Sequence, residues 1–129
     1  MSEETKARIK LLLVDDEEAY VNVLANRMAK RSIEVTKALS GTQGIQALRK
    51  EDFDAAVLDL KMEDMDGIEV LKVFKKMVPT MPVIMLTGHG SEQAAREGLA
   101  LGASDYLTKP CDLEELIEKI KEAIAAERP

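Results

Sequence analysis

Asp15 and Asp16, Asp59, Thr87 and Lys109 each stand just past a short apolar run: Ile9–Val14, Ala55–Leu58, Val83–Leu86 and Tyr106–Thr108. Three carboxylates, a hydroxyl and an ammonium together suit a divalent cation and a phosphoryl group. A hard cation takes oxygen ligands, while the ammonium and hydroxyl can grip phosphoryl oxygens. Carboxylates gathered in one place raise one another's pKa unless a cation separates them. Mg²⁺ is commonly held by one or two carboxylates with waters and phosphate oxygens, and is the economical occupant. Taken singly, these residues have plainer readings. Asp15 could cap a helix, Asp59 could end a strand, Lys109 could be solvated, and Thr87-Gly88 is a common pair whose glycine merely lets backbone approach a ligand. Pro110 keeps Lys109 extended and out of the following helix. Shared placement at strand ends gives the set a joint meaning.

The elements that position them alternate in type. Ile9–Val14 reads as a buried strand despite Lys10. Asp15-Asp16 then offers N-cap carboxylates to a helix with apolar residues at Tyr20, Leu24 and Met28. Ile33–Ala38 alternates like a half-exposed edge strand, and Ser40-Gly41-Thr42-Gln43 reads as a capping box for a helix carrying Ile45 and Leu48. Ala55–Leu60 is too uniformly apolar to face water. Asp66-Gly67-Ile68-Glu69 opens a helix with Ile68, Leu71 and Phe74 inward, ended by Pro79 and Pro82. Val83–Thr87 is a strand; Ser91 can cap the next helix and Gly102 close it. Asp105–Thr108 is the last strand. Asp112-Leu113-Glu114-Glu115 caps a final helix whose stripe is Leu113, Leu116, Ile117, Ile120 and Ile124. The pattern is (βα)₅ in the α/β class. Right-handed crossovers make it a doubly wound three-layer sandwich with a parallel sheet, on which ligands sit beyond the carboxyl ends of the strands.

A chain of 129 residues is the size of one domain and buries a core without staples. No repeat, low-complexity tract or internal linker divides it, so the expectation is a single domain over 1–129 with its core over about 8–126. Cys111 is the one cysteine, which rules out an intrachain disulfide and fits a reducing compartment. The first residues lack the apolar stretch of a signal peptide, and no run is long enough to cross a bilayer, so the expected location is cytoplasmic with no membrane partner. A formal charge of −6 disfavours direct nucleic acid binding.

The residues also match a family. The motifs Leu13-Val14-Asp15-Asp16-Glu17, Asp59-Leu60-Lys61-Met62-Glu63-Asp64-Met65-Asp66-Gly67, Leu86-Thr87-Gly88 and Tyr106-Leu107-Thr108-Lys109-Pro110 resemble those of the receiver domain of two-component response regulators. The resemblance covers essentially the whole chain, whether as a single-domain chemotaxis-regulator-like protein or as the N-terminal receiver of a larger regulator. It implies a flavodoxin-like sheet of order 2-1-3-4-5 and a phosphorelay role, with Asp59 as phosphoacceptor. It implies that Asp15, Asp16, Asp59 and the Lys61 carbonyl bind Mg²⁺ (or Mn²⁺), Asp16 being a closer ligand than Asp15. It further implies that Thr87 and Lys109 bind the phosphoryl group, and that Lys109-Pro110 is cis, a state of about one X-Pro bond in twenty. Thr87 and Tyr106 would form the switch, altering the face of the fourth helix, fifth strand and fifth helix. For Tyr106 the competing reading is an ordinary strand residue. The implied partners are a sensor histidine kinase or phosphotransfer protein, or a small acyl phosphate as donor. Downstream lies an output domain or target protein, and homodimerisation on phosphorylation is compatible with the family.

Glu63 stands where the family often has proline, adding charge and backbone freedom beside the metal. Lys61 and His89 occupy positions that in the family tune acyl-phosphate hydrolysis, although His89 without a partner also reads as a plain loop residue. Cys111 reads as a packed thiol. A small Mg²⁺-dependent phosphatase with an aspartyl intermediate would use similar groups, but Lys61 stands where its second acid belongs. A flavin or nucleotide binder is disfavoured by the acidic Asp15-Asp16-Glu17-Glu18 turn. The remaining alternative is a phosphorylation-independent scaffold receiver. On the main reading the chain is a phosphoacceptor and not a turnover enzyme.

Overall fold

Leu11 and Leu13 pack into one hydrophobic cluster and Leu12 and Val14 into another, because successive strand residues point to opposite faces. A strand covered on both faces needs an unbroken apolar run, which is why β1 (Ile9–Val14), β3 (Ala55–Asp59) and β4 (Val83–Thr87) lack alternation. In the computed structural model, which describes residues 8–88 and 91–128, these strands form the middle of a five-stranded sheet ordered β2-β1-β3-β4-β5. All pairings are parallel. The outer strands are β2 (Ile33–Ala38) and β5 (Asp105–Thr108). In β2, Glu34 and Lys37 are exposed while Ile33 and Ala38 are buried.

Five helices complete the layers: α1 (Glu18–Ala29), α2 (Gly41–Lys50), α3 (Gly67–Met77), α4 (Glu92–Ala100) and α5 (Leu113–Glu127). One sheet face meets Val21, Leu24 and Met28 of α1 and Leu116, Ile117 and Ile120 of α5. The other meets Leu48 of α2 and Ile68, Leu71 and Phe74 of α3. Phe74 is fully buried, so truncation to alanine would cost about 3–5 kcal/mol.

Several helix starts follow their sequence signals. Ser40 accepts from the Gln43 amide at 3.0 Å, Asp66 from Ile68 at 3.0 Å and Asp112 from Glu115 at 3.1 Å, each satisfying an amide with no intrahelical partner. Other starts differ from expectation. Asp15 does not cap α1: its Oδ1 accepts from Glu17 N at 3.0 Å in a local turn, and Glu17, at the N-cap position, makes no side-chain cap. Gln43 accepts from Leu39 N at 2.8 Å rather than from Ser40, so the box is displaced by one residue. Ser91 makes no cap bond because its backbone (φ −106°, ψ 21°) is outside the extended region that aims a cap side chain. Gly102, at φ 112°, closes α4, with Ala103 N bonded to Gly98 O at 3.0 Å.

Candidate functional site

Parallel strands end on one side, and the polar groups collect there. Asp15 follows β1 directly, while Asp59 and Thr87 are the last residues of β3 and β4. Val14 pairs with Leu58 on β3 and Asp59 with Leu86 on β4, so the register sets Asp15 level with Asp59 and Thr87 one residue beyond. Asp15 is fully buried, and Asp59 and Thr87 nearly so; Asp16 is more open. One oxygen from each of Asp15, Asp16 and Asp59 lies within 4.8 Å of the others.

Lys109 reaches this cluster from the far side. Its Nζ donates to Asp15 Oδ2 at 2.9 Å and Glu17 Oε1 at 2.5 Å, and stands 3.7 Å from Asp59 Oδ2. The backbone fixes that reach: Lys109 N donates to Thr87 O at 2.7 Å, and the Lys109–Pro110 peptide is cis. The Tyr20 ring lies under the ammonium, 4.6 Å from Nζ to centroid, and the Tyr20 hydroxyl is 3.8 Å from Cys111 Sγ. Tyr20 is therefore a site residue outside the motifs, and Glu17, the last residue of the first motif, gains a part there that the motif alone does not assign. Tyr20 has the spacing of a core residue on α1, yet its face is used to hold a cation.

Electrostatics follow from this crowding. Burial, followed by repulsion from Asp15, pushes the Asp59 carboxyl up to about 6, against the lowering effect of the Lys61 N–H that donates to Asp59 Oδ1 at 3.2 Å. For Lys109, burial opposes the charge, but hydrogen bonds to Glu17 and Asp15 outweigh it and hold the ammonium above its ordinary pKa. Burial also raises the Tyr20 phenol, so it stays neutral.

The β3–α3 connection closes one wall. Lys61 and Asp66 form an antiparallel bridge, Leu60 N donates to Leu86 O at 3.0 Å, and Gly67 N donates to Leu60 O at 3.1 Å. A Cβ at Gly67 would fall 2.4 Å from the Leu60 Cα, so only glycine admits this closure. Glu63 N donates to Asp16 Oδ2 at 3.1 Å, a bond that a proline there would lack. Between this loop and Lys109 lies an open cleft of about 640 Å³, with Asp16, Asp59, Lys61, Glu63, Gly88 and Lys109 on its walls.

The donor set fits a hard divalent cation: all oxygen, anionic, close together and open to solvent on the Asp16 side. Asp15, Asp16, Asp59, Lys61 and Lys109 thus converge, while Thr87 ends the neighbouring strand, off the cleft wall, with its hydroxyl on Leu107 O at 3.5 Å. Tyr106 does not line the cleft; it is partly buried against the cluster on the α2–α3 side of the sheet. His89 lies outside the described residues.

Residues 11–121 match the response regulator receiver domain family. The transcriptional regulatory protein GlrR of Escherichia coli (strain K12) is 37% identical over 119 residues, covering 92% of this chain and 27% of that protein. ZraR of Klebsiella oxytoca, also a transcriptional regulatory protein, is 36% identical over 121 residues, with 94% and 27% covered. The chain belongs to the response regulator receiver family.

Solved receiver domains share the architecture. The receiver domain protein from Clostridium thermocellum superposes with a TM-score of 0.89 at 32% identity, covering 93% of this chain and 97% of that one. The CheY-like receiver protein from Methanospirillum hungatei JF-1 gives 0.88 at 32%, covering 93% and 96%. Two-component signalling is the role of this family, whose members generally bind Mg²⁺ at an acidic pocket, and Asp15, Asp16 and Asp59 form an acidic cluster that could hold such an ion. It spans about a quarter of the length of the curated regulators it matches. Among the described residues no helix is long and apolar enough to cross a membrane.

Proposed function

We propose that Asp59 accepts a phosphoryl group from a phosphohistidine on a sensor kinase or phosphotransfer protein, or from a small acyl phosphate. A carboxylate oxygen of Asp59 attacks phosphorus, the bond from phosphorus to imidazole nitrogen or acyl oxygen breaks, and the leaving group departs with that electron pair. Bound Mg²⁺, held by Asp15, Asp16, Asp59 and the Lys61 carbonyl, would neutralise charge on the phosphoryl oxygens. The observation carrying this reading is the convergence of three carboxylate oxygens within 4.8 Å, flanked by Lys109.

Lys109 is held charged beside the carboxylates by Asp15, Glu17 and the Tyr20 ring, so its ammonium is already in place to donate to a phosphoryl oxygen on Asp59. The Thr87 hydroxyl has only a 3.5 Å bond to Leu107 O, at the outer limit of hydrogen bonding. Little is lost when it turns to a phosphoryl oxygen. Movement of Thr87 coupled to Tyr106 would then shift the α4–β5–α5 face toward the state that an output domain or target binds. Lys61, on the wall of the cleft, is placed to shield the acyl phosphate from water, and its removal would shorten the phosphoryl lifetime. We read 1–129 as one receiver domain with its core over about 8–126, acting as phosphoacceptor rather than as a turnover enzyme.

The test is incubation with acetyl phosphate and Mg²⁺ followed by intact-mass and peptide analysis. One base-labile phosphoryl group should appear on Asp59 and vanish in Asp59→Asn. Labelling that persists in that variant overturns the assignment, and sustained phosphate release from esters would favour a phosphatase instead.

A further inference from the structure

The loop between Lys61 and Asp66 is fixed at its base by their bridge, and its tip is held on two opposite sides. On one side Glu63 N donates to Asp16 Oδ2 at 3.1 Å. On the other, the Asp64 carboxylate receives the first amides of α2: Gly41 N at 2.9 Å, Thr42 N at 3.1 Å and the Thr42 hydroxyl at 3.1 Å. The helix start is a natural seat for a carboxylate, since its amides lack intrahelical partners and its dipole favours negative charge. The approach is also close: a Cβ on Gly41 would fall 2.7 Å from Val70 Cγ2 and 3.1 Å from Met65 Sδ. The glycine lets the helix start press against the loop. Asp64 thus spans 22 to 23 residues of sequence to tie the loop tip to the start of α2.

We propose that Asp64 is a positioning residue for the metal pocket: by clamping the loop tip to the start of α2 it holds Glu63 N–H on Asp16 and Lys61 at the wall of the cleft. This rests on the metal-dependent phosphoacceptor reading above. Asp64 acts through the backbone, touching neither metal nor phosphoryl group. Loss of the clamp frees the tip, so the Asp16 carboxylate loses its fixed donor and the pocket must be reordered each time an ion enters. Groups that orient metal ligands typically change metal affinity by 10–100-fold when removed. A clamp one step further out belongs at the lower end.

Ser40 provides the control. It caps the same helix through Gln43 N at 3.0 Å but has no bond to the loop, so Ser40→Ala weakens α2 without releasing the tip. Mg²⁺ binding is measured by titration calorimetry, and amide exchange at Glu63 is followed by NMR in metal-free protein. Asp64→Ala should weaken Mg²⁺ about tenfold and speed Glu63 exchange, with Asp64→Asn intermediate because it keeps one acceptor oxygen. Ser40→Ala should lower the melting temperature comparably while leaving both readouts near wild type. Equal Mg²⁺ affinities for Asp64→Ala and Ser40→Ala, or a Glu63 amide still protected in Asp64→Ala, would overturn the proposal while leaving the phosphoacceptor reading intact. A wild-type chain that takes up no Mg²⁺ would instead remove that reading and this one with it.

Discussion

The Asp59 Oδ2 atom lies 3.7 Å from the Lys109 ammonium, just beyond the direct bonds that this ammonium gives Asp15 and Glu17. At rest, Lys109 therefore neutralises the first-strand carboxylate more fully than the third-strand one. Asp59 is left buried, close to Asp15 and only partly compensated, and its pKa of about 6 reflects this.

That imbalance gives a signed pH dependence in metal-free protein. The folded-state pKa of Asp59 lies above its unfolded value, so the folded chain binds the extra proton more tightly. The stability this group contributes is fully present below about pH 4 and is lost as pH rises through about 6. Asp59→Asn removes this slope. The variant should be more stable than wild type by about 2 kcal/mol at pH 7.5, a figure discounted for solvent screening, and the gap should close toward pH 4. Urea melts of both proteins across this range measure it, and a gap independent of pH would contradict an origin in the burial and crowding of Asp59.

On the proposed reading, Mg²⁺ and protons compete for the same oxygens. Magnesium should raise the melting temperature of wild type at pH 7.5, by the equivalent of about 2.7 kcal/mol at a hundredfold excess over Kd. The effect should fade below pH 6, where Asp59 is protonated. In Asp59→Asn it should be much smaller at every pH. Calorimetry with and without the ion distinguishes these outcomes.

Asp15 is completely buried and depends on Lys109 for its counter-charge. Lys109→Met should destabilise the metal-free protein by about 2–4 kcal/mol, because it strands a buried carboxylate. Adding Asp15→Asn should recover part of that loss. A double-mutant cycle read by denaturant unfolding checks the coupling, and simple additivity would show that the pair is not energetically linked.

The backbone closure at Gly67 leaves no room for a methyl group, since the overlap is with the Leu60 main chain rather than with a flexible side chain. Gly67→Ala should cost about 1–3 kcal/mol and, by displacing the loop that carries Lys61 and Glu63, weaken Mg²⁺ uptake as well. A substitution that lowered stability while leaving ion affinity untouched would separate the loop from the pocket.

What the sequence discloses is what depends on local period and strand order. The uninterrupted apolar character of Leu11–Val14 and Ala55–Leu58 reports strands covered on both faces, and alternation with helical segments then forces their ends to one side. Asp15, Asp59 and Thr87 are legible for that reason. Asp16 and Lys109 follow because they are joined to the same ends. Glu17 and Tyr20 are not legible, because they become partners of Lys109 only when the β1–α1 and β5–α5 junctions meet, a contact between residues about ninety positions apart. Tyr20 also carries the spacing of an inward helix residue, so its pattern conceals its use. The caps divide similarly. Asp66 and Asp112 act within their own turns, whereas Asp15 looks like a cap but is drawn into the pocket by Lys109.

The two outer strands bear on how this molecule behaves among many copies of itself. β5 is only four residues long and carries Asp105, tied to Lys119 at 2.8 Å, while β2 carries the exposed charges Glu34 and Lys37. Short length and charge are the means by which sheets avoid recruiting a foreign strand. The consequence is resistance to edge-to-edge aggregation, so that crowding by like molecules does not extend the sheet from one copy into the next.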